Sequence, residues 1–283
     1  MEALMQWKNI YRGLMMGISD LIPGVSGGTI ALILGIYDHL LKAISGFFSK
    51  DWKKQLGFLV PLAIGMGAAL LIFSRLIDYL LNNHVVPTQF FFIGLVLGVL
   101  PFLARESGMK RNFRPAHYVL LVLVGIGLAA TAFLNPAESE PIRELTGSKA
   151  VFLFFSGWLG SMAMLLPGVS GSFVLLLLGA YSTAIAALSD LNLPIIAVIG
   201  AGVAVGFIVS SKVIHYLLNK FPAVMYSIII GLIAGSVFVI FPGLPTGAGT
   251  IAASVITFLA GLILTLWLGK VDASRTRAQK PAS

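Results

Sequence analysis

The chain has 283 residues, of which 58% are hydrophobic and 11% charged, with a formal net charge of +8 and no cysteine. A soluble domain carries roughly 25% charged residues, so most of this chain must face lipid or other apolar helices, and it reads as a polytopic membrane protein. The lack of cysteine excludes disulfides, thiolate metal sites and cysteine nucleophiles, and the Lys and Arg residues gather in a few loops, as topology signals do and nucleic-acid binders do not.

Residues 1–13 hold Trp7, Lys8, Tyr11 and Arg12, an amphipathic lead-in suited to the inner interface. The apolar run that follows contains Asp20 and Pro23, so it reads as mature protein rather than as a signal peptide. Residues 14–45 carry Leu21-Ile22-Pro23-Gly24-Val25-Ser26-Gly27-Gly28 between two apolar arms. Each arm is too short for the span of about 20 residues that a membrane helix needs. A basic loop ends at Lys54, and spans are expected at about 57–81, 89–103 and 116–134. The loop Asn82-Asn83-His84 has no Lys or Arg, whereas the next holds Arg105, Lys110, Arg111 and Arg114. Residues 135–149 are polar and form a seam. Residues 150–189 then carry Leu165-Leu166-Pro167-Gly168-Val169-Ser170-Gly171-Ser172, and spans follow at about 195–218, 222–241 and 250–269 before a basic tail.

The two halves are therefore related. Gly35-Ile36-Tyr37 matches Gly179-Ala180-Tyr181, and Tyr79-Leu80-Leu81-Asn82 matches Tyr216-Leu217-Leu218-Asn219. Gly65, Gly94 and Gly98 match Gly202, Gly231 and Gly235. The expected organisation is a first repeat over 1–140, a second over 141–270 and a basic cytoplasmic tail over 271–283. Suppose each motif unit is a re-entrant hairpin, over about 14–45 and 150–189, and the N-terminus is inside. The basic loops then all fall inside, and the outer loops hold only Arg143 and Lys149 between them. A hairpin plus three spans crosses an odd number of times, so the second repeat must be inverted. The fold class expected is all-α, with two inverted repeats whose broken helices meet near the midplane, the architecture of secondary transporters.

Pro23 and Pro167 each remove a backbone donor and break a helix, and lipid cannot satisfy the groups so freed. Ser26 and Ser170 stand where N-caps belong. Helix N-termini present unpaired N–H groups, and Gly24, Gly27, Gly28, Gly168 and Gly171 let backbone approach a ligand closely. Thr29 and Ser172 add hydroxyls. The set suits an anion, phosphate above all. Tight helix packing through the glycines is the simpler alternative, but it leaves the recurring Pro-Gly break unexplained. Arg75 and Lys212 occupy equivalent positions and are candidates for drawing in phosphate, or for snorkelling to the interface. Asp20, replaced by Met164 in the second copy, is a candidate proton-coupling group. The four histidines show no metal-ligand spacing, and neither a metal nor a cofactor is expected.

Through Ser19-Asp20-Leu21-Ile22-Pro23-Gly24-Val25-Ser26-Gly27-Gly28-Thr29 and Leu166-Pro167-Gly168-Val169-Ser170-Gly171, the chain resembles the bacterial polyprenyl-phosphate transporters of the PopT type, formerly a membrane family of unknown function. The resemblance runs over essentially the whole chain. It implies a flippase that returns undecaprenyl phosphate, the carrier of wall precursors, from the outer to the inner leaflet of the plasma membrane. It implies a lipid partner and no enzymatic step; the placement of Lys and Arg puts both termini in the cytoplasm, and a second copy of the chain is a candidate partner. A groove opening sideways would let the head cross while the tail stays in lipid. The rival is a membrane undecaprenyl-diphosphate phosphatase, which shares a Pro-Gly-x-Ser signature. Those enzymes carry Arg after the motif serine and glutamates nearby, where this chain has Gly27 and Gly171 and no motif Glu. A transporter of a small soluble anion is the other alternative, though it would need more polar spans than these.

Overall fold

The computed structural model describes residues 5–20, 26–47, 52–134 and 140–278, with side chains at 74, 78, 189 and 268–278 outside the description. Every regular element among the described residues is helical. The first half comprises α1 (Asn9–Asp20), α2 (Gly27–Ile33), α3 (Tyr37–Ser45), α4 (Trp52–Asn83), α5 (Val85–Glu106), the short α6 (Met109–Asn112) and α7 (Pro115–Ala130), which runs into a 3-10 turn at Thr131–Phe133. The second half comprises α8 (Gly147–Leu165), α9 (Gly171–Leu177), α10 (Tyr181–Ser189), α11 (Leu193–Lys220), α12 (Pro222–Ile240) and α13 (Ala248–Ala278). Seven of these are long and apolar enough to cross a membrane: α4, α5, α7 with its 3-10 turn, α8, α11, α12 and α13. The protein is a multi-pass membrane protein.

Local chemistry explains the element ends. α7, α11 and α12 each begin on a proline in the first turn, where a missing N–H costs nothing. Asn192 caps α11 by accepting from the Ile195 N–H. The outer faces carry unpaired apolar side chains such as Leu71 (84% exposed), Ile256 (67%) and Ile263 (62%). In water these would form a large sticky surface; in a bilayer they are simply the lipid face.

The helices pair in matching ways. Within the halves α1 packs on α4 as α8 packs on α11; between them α5 packs on α13 as α12 packs on α7, and α5 also meets α12. Glycines permit these crossings. A Cβ on Gly65 would strike the Ile10 carbonyl, and one on Gly202 the Phe154 carbonyl; Gly94 and Gly231 stand likewise against the carbonyls of Phe258 and Leu121. Between lipid-facing helices, close backbone contact of this kind supplies the packing that the hydrophobic effect cannot. The main core gathers α2, α3, α4, α5 and α12 around Leu41, Phe58, Val99, Ile229 and Ile233.

Two features depart from the sequence reading. The arm from Ser26 to Ser45 is not one segment but two helices, α2 and α3, and its counterpart is α9 and α10, bent by 112°. The breaks fall on Gly35 (φ +64°) and Gly179 (φ +72°), left-handed positions that cost an L-residue about 1–2 kcal/mol. In addition α8, the incoming arm of the second motif, is 19 residues long and apolar enough to span, unlike the 12-residue α1. The halves also differ at α3, which packs on α11 with Asp38 Oδ1 at 3.3 Å from His215 Nδ1.

Candidate functional site

α2 starts at Ser26, whose backbone is extended (φ −115°, ψ 133°) and whose Oγ accepts from the Gly28 N–H at 3.2 Å. The Asp20 carboxylate, at the end of α1, accepts from the Gly27 N–H at 2.7 Å. The Thr29 N–H donates to the Ser26 carbonyl. The first-turn donors of α2 therefore all have partners within the chain. Of the first-motif residues expected to bind phosphate, Gly24 lies outside the described residues, as does the break at Pro23.

The two motif copies meet. The Gly168 N–H donates to Thr29 Oγ1 at 3.0 Å, the Tyr37 hydroxyl donates to the Leu165 carbonyl at 2.8 Å, and the Ser26 hydroxyl donates to the Leu166 carbonyl at a long 3.5 Å. The physical reason lies at the end of α8. Its last carbonyls have no helical donor beyond the buried Pro167, and lipid offers none. Hydroxyls from the first copy supply them. Gly168, at φ +86°, also lies so near the Leu232 carbonyl of α12 that a Cβ would sit 2.8 Å from it, so only glycine fits.

The second copy is arranged differently. Ser170 stands in N-cap geometry for α9 but its side chain does not cap; its Oγ instead lies 2.9 Å from Ser172 Oγ. These hydroxyls line a polar cavity of about 260 Å³ together with Asp20, Ser26 and Ser161. The cavity adjoins two others. Asp20 and Met164 also border an apolar cavity of about 490 Å³ that includes Gly27 and Gly28, and Ser170 and Ser172 also border one of about 340 Å³ that includes Gln89 and Tyr181. Among the described residues, Asp20 is the single carboxylate lining the three, and no Lys or Arg lines them. Arg75 and Lys212 are exposed on α4 and α11, away from these walls.

The structure thus brings together Asp20, Ser26, Thr29, Gly168, Ser170, Gly171 and Ser172, and leaves Arg75 and Lys212 apart. It adds Tyr37, Gln89 and Tyr181. The signal for Tyr37 and Tyr181 was present in the matched Gly-x-Tyr that follows each motif. Gln89 was an amide at the head of an apolar run, next to Phe90-Phe91-Phe92, and such residues mark polar interiors.

Comparison with known proteins gives a consistent picture. Residues 16–257 match the VCA0040-like family, described as undecaprenyl phosphate translocase-like. A Staphylococcus aureus protein named polyprenyl-phosphate transporter is 43% identical over 277 residues, covering 95% of this chain and 98% of that protein. A Vibrio cholerae protein of the same name is 33% identical over 244 residues, covering 82% of this chain and 76% of that one. No solved structure matches.

Proposed function

The chain belongs to the undecaprenyl phosphate translocase-like family, and on that footing we propose that it moves a polyprenyl phosphate from the outer to the inner leaflet of the bacterial plasma membrane, without hydrolysing it. The observation that carries this reading is the meeting of the two motif copies beside a polar cavity that shares Asp20 and Met164 with a larger apolar one. A phosphate head needs hydrogen-bond donors at membrane depth, and a prenyl tail needs an unbroken apolar surround.

The head sits at the second copy. The hydroxyls of Ser170 and Ser172 face the polar cavity, and the start of α9 at Gly171 is free of a side-chain cap. The first copy, with its first-turn N–H groups engaged, holds the second in place through Thr29 and Ser26. Arg75 and Lys212, exposed near the ends of their helices, act at a distance by attracting the anion to the protein surface.

Asp20 gives the site its coupling. A carboxylate and a phosphate in one water-poor cavity repel each other strongly unless a proton neutralises one of them. Inward movement of the head also runs against an inside-negative potential, at about 2.3 kcal/mol per charge per 100 mV. A proton carried with the phosphate relieves the repulsion and offsets one charge of the electrical cost. Hydrolysis, by contrast, calls for a cationic clamp and an activated nucleophile. Among the described residues the cavity walls hold no Lys or Arg, and Gly27 and Gly171 follow the serines.

Reconstitution tests the reading. Purified protein in liposomes is expected to equilibrate undecaprenyl phosphate between leaflets, faster when the outside is acidified. Protein that moves soluble phosphate but not the lipid overturns the substrate, and release of inorganic phosphate from undecaprenyl diphosphate overturns the absence of hydrolysis.

A further inference from the structure

The apolar cavity is the largest of the three and is built by both halves. Met16, Leu62 and Met66 come from the α1–α4 pair and Met164, Phe207 and Ile208 from the α8–α11 pair. At about 490 Å³ it falls in the range of sites that enclose a small organic ligand. It is also open. Ala63 of α4 and Ala204 of α11 both line it and both remain exposed. One turn away, after Ala63 on α4 and before Ala204 on α11, Gly67 and Gly200 face space in which an added Cβ would meet nothing within 4 Å. These four positions correspond across the repeat, Ala63 with Gly200 and Gly67 with Ala204, at the same spacing that relates Gly65 to Gly202. Elsewhere in the protein, small residues at this repeat spacing let helices touch; here they leave room.

The occupant is set by what adjoins the cavity. Its inner wall, Asp20 and Met164, is shared with the polar cavity, so a ligand filling both must be polar at one end and apolar beyond it. The exposed faces around it, such as Leu70 and Leu71, are apolar and lie in the bilayer. Resting on the function proposed above, we infer that this cavity seats the first isoprenoid units of the lipid phosphate, and that the gap between α4 and α11 is the portal through which the chain enters from the membrane. The proximal tail then travels within the protein, with only the distal tail left in lipid. Flexible Met16, Met66 and Met164 suit a kinked, unsaturated chain better than stiff side chains do.

The test uses full-length protein in phosphatidylglycerol vesicles. A63W and A204W fill the cavity from exposed positions and are expected to lower leaflet exchange of undecaprenyl phosphate by about tenfold or more, whereas I256W on the lipid face of α13 leaves it unchanged. The chain has no cysteine, so A204C provides a second readout that does not depend on transport. Undecaprenyl phosphate is expected to slow labelling of A204C by the membrane-permeant N-ethylmaleimide, while inorganic phosphate has no effect. If the unsubstituted protein exchanges the lipid, but both tryptophan variants match it and A204C labels equally with or without lipid, the inference is overturned. Equal protection by inorganic phosphate overturns it too, since head binding alone then closes the cavity. An unsubstituted protein that exchanges no lipid refutes the transport reading instead, so the two failures are distinct.

Discussion

Thr29 and Tyr37 are each committed to one backbone group of the opposite motif, and both are buried. Removing either hydroxyl leaves a polar group unpaired at membrane depth, at a cost of about 1–3 kcal/mol. Thr29→Val and Tyr37→Phe should therefore lower the thermal unfolding temperature in detergent, while Ser170→Ala, whose hydroxyl faces the cavity, should lower transport and leave stability nearly unchanged. A Tyr37→Phe protein as stable as the parent would show that the motif contact contributes little. Asp20 calls for a different measurement. Asn at this position retains an oxygen for the Gly27 N–H but cannot carry the charge. Asp20→Asn is expected to keep the fold and some exchange, and to lose the acceleration by an acidic exterior. Undiminished acceleration in that variant removes Asp20 from coupling. In the sequence, Asp20 was conspicuous as a charge beside a break. Its bond to Gly27 was not legible there, because a separation of 7 residues in sequence does not by itself bring a carboxylate to a backbone N–H.

At the scale of the element, the sequence disclosed the spans more readily than the breaks. Long apolar runs bounded by basic or Pro-led turns have few alternatives in a membrane, and α4, α5, α7, α11, α12 and α13 cover the stretches expected. Gly35 and Gly179 lay inside such runs, where a glycine can equally serve helix packing, and only the left-handed backbone separates the two roles. Gly65 and Gly202 show the packing role at the same level of sequence signal. The two kinds should respond differently to alanine. Gly35→Ala and Gly179→Ala meet backbone strain of about 1–2 kcal/mol and should straighten or loosen the α2–α3 and α9–α10 bends. Gly202→Ala forces α11 away from the Phe154 carbonyl and should weaken the α8–α11 pair itself. Thermal unfolding together with proteolysis at the α9–α10 turn separates these effects: a cut that appears in Gly179→Ala but not in Gly202→Ala is the expected pattern.

For the whole molecule, the full length of α8 raises the question of whether the inverted arrangement survives. It does, on parity. If α8, α9 and α10 form a re-entrant unit, the chain returns to the face it left. If α8 crosses and the bent α9–α10 pair crosses back, it returns to that face as well. α11 then starts on the same side in either case, and the basic clusters are expected inside, with Arg143 and Lys149 as the outer exceptions. The α4–α5 turn and its counterpart between α11 and α12 are expected on opposite sides, since Asn82-Asn83-His84 carries no Lys or Arg while the equivalent turn carries Lys220. The cysteine-free chain makes this directly measurable with single cysteines at exposed positions. N83C and L244C should react with an impermeant maleimide added to intact cells, and K110C and K220C only after the membrane is opened. Reaction of N83C and K220C from the same side would rule out inversion, and with it a transport cycle in which two mirrored halves rock about a shared head site. Reaction from opposite sides leaves α3 packed on α11 as one further difference between the halves. If the halves rock, we expect that contact, with its Asp38–His215 pair, to break in the other conformation.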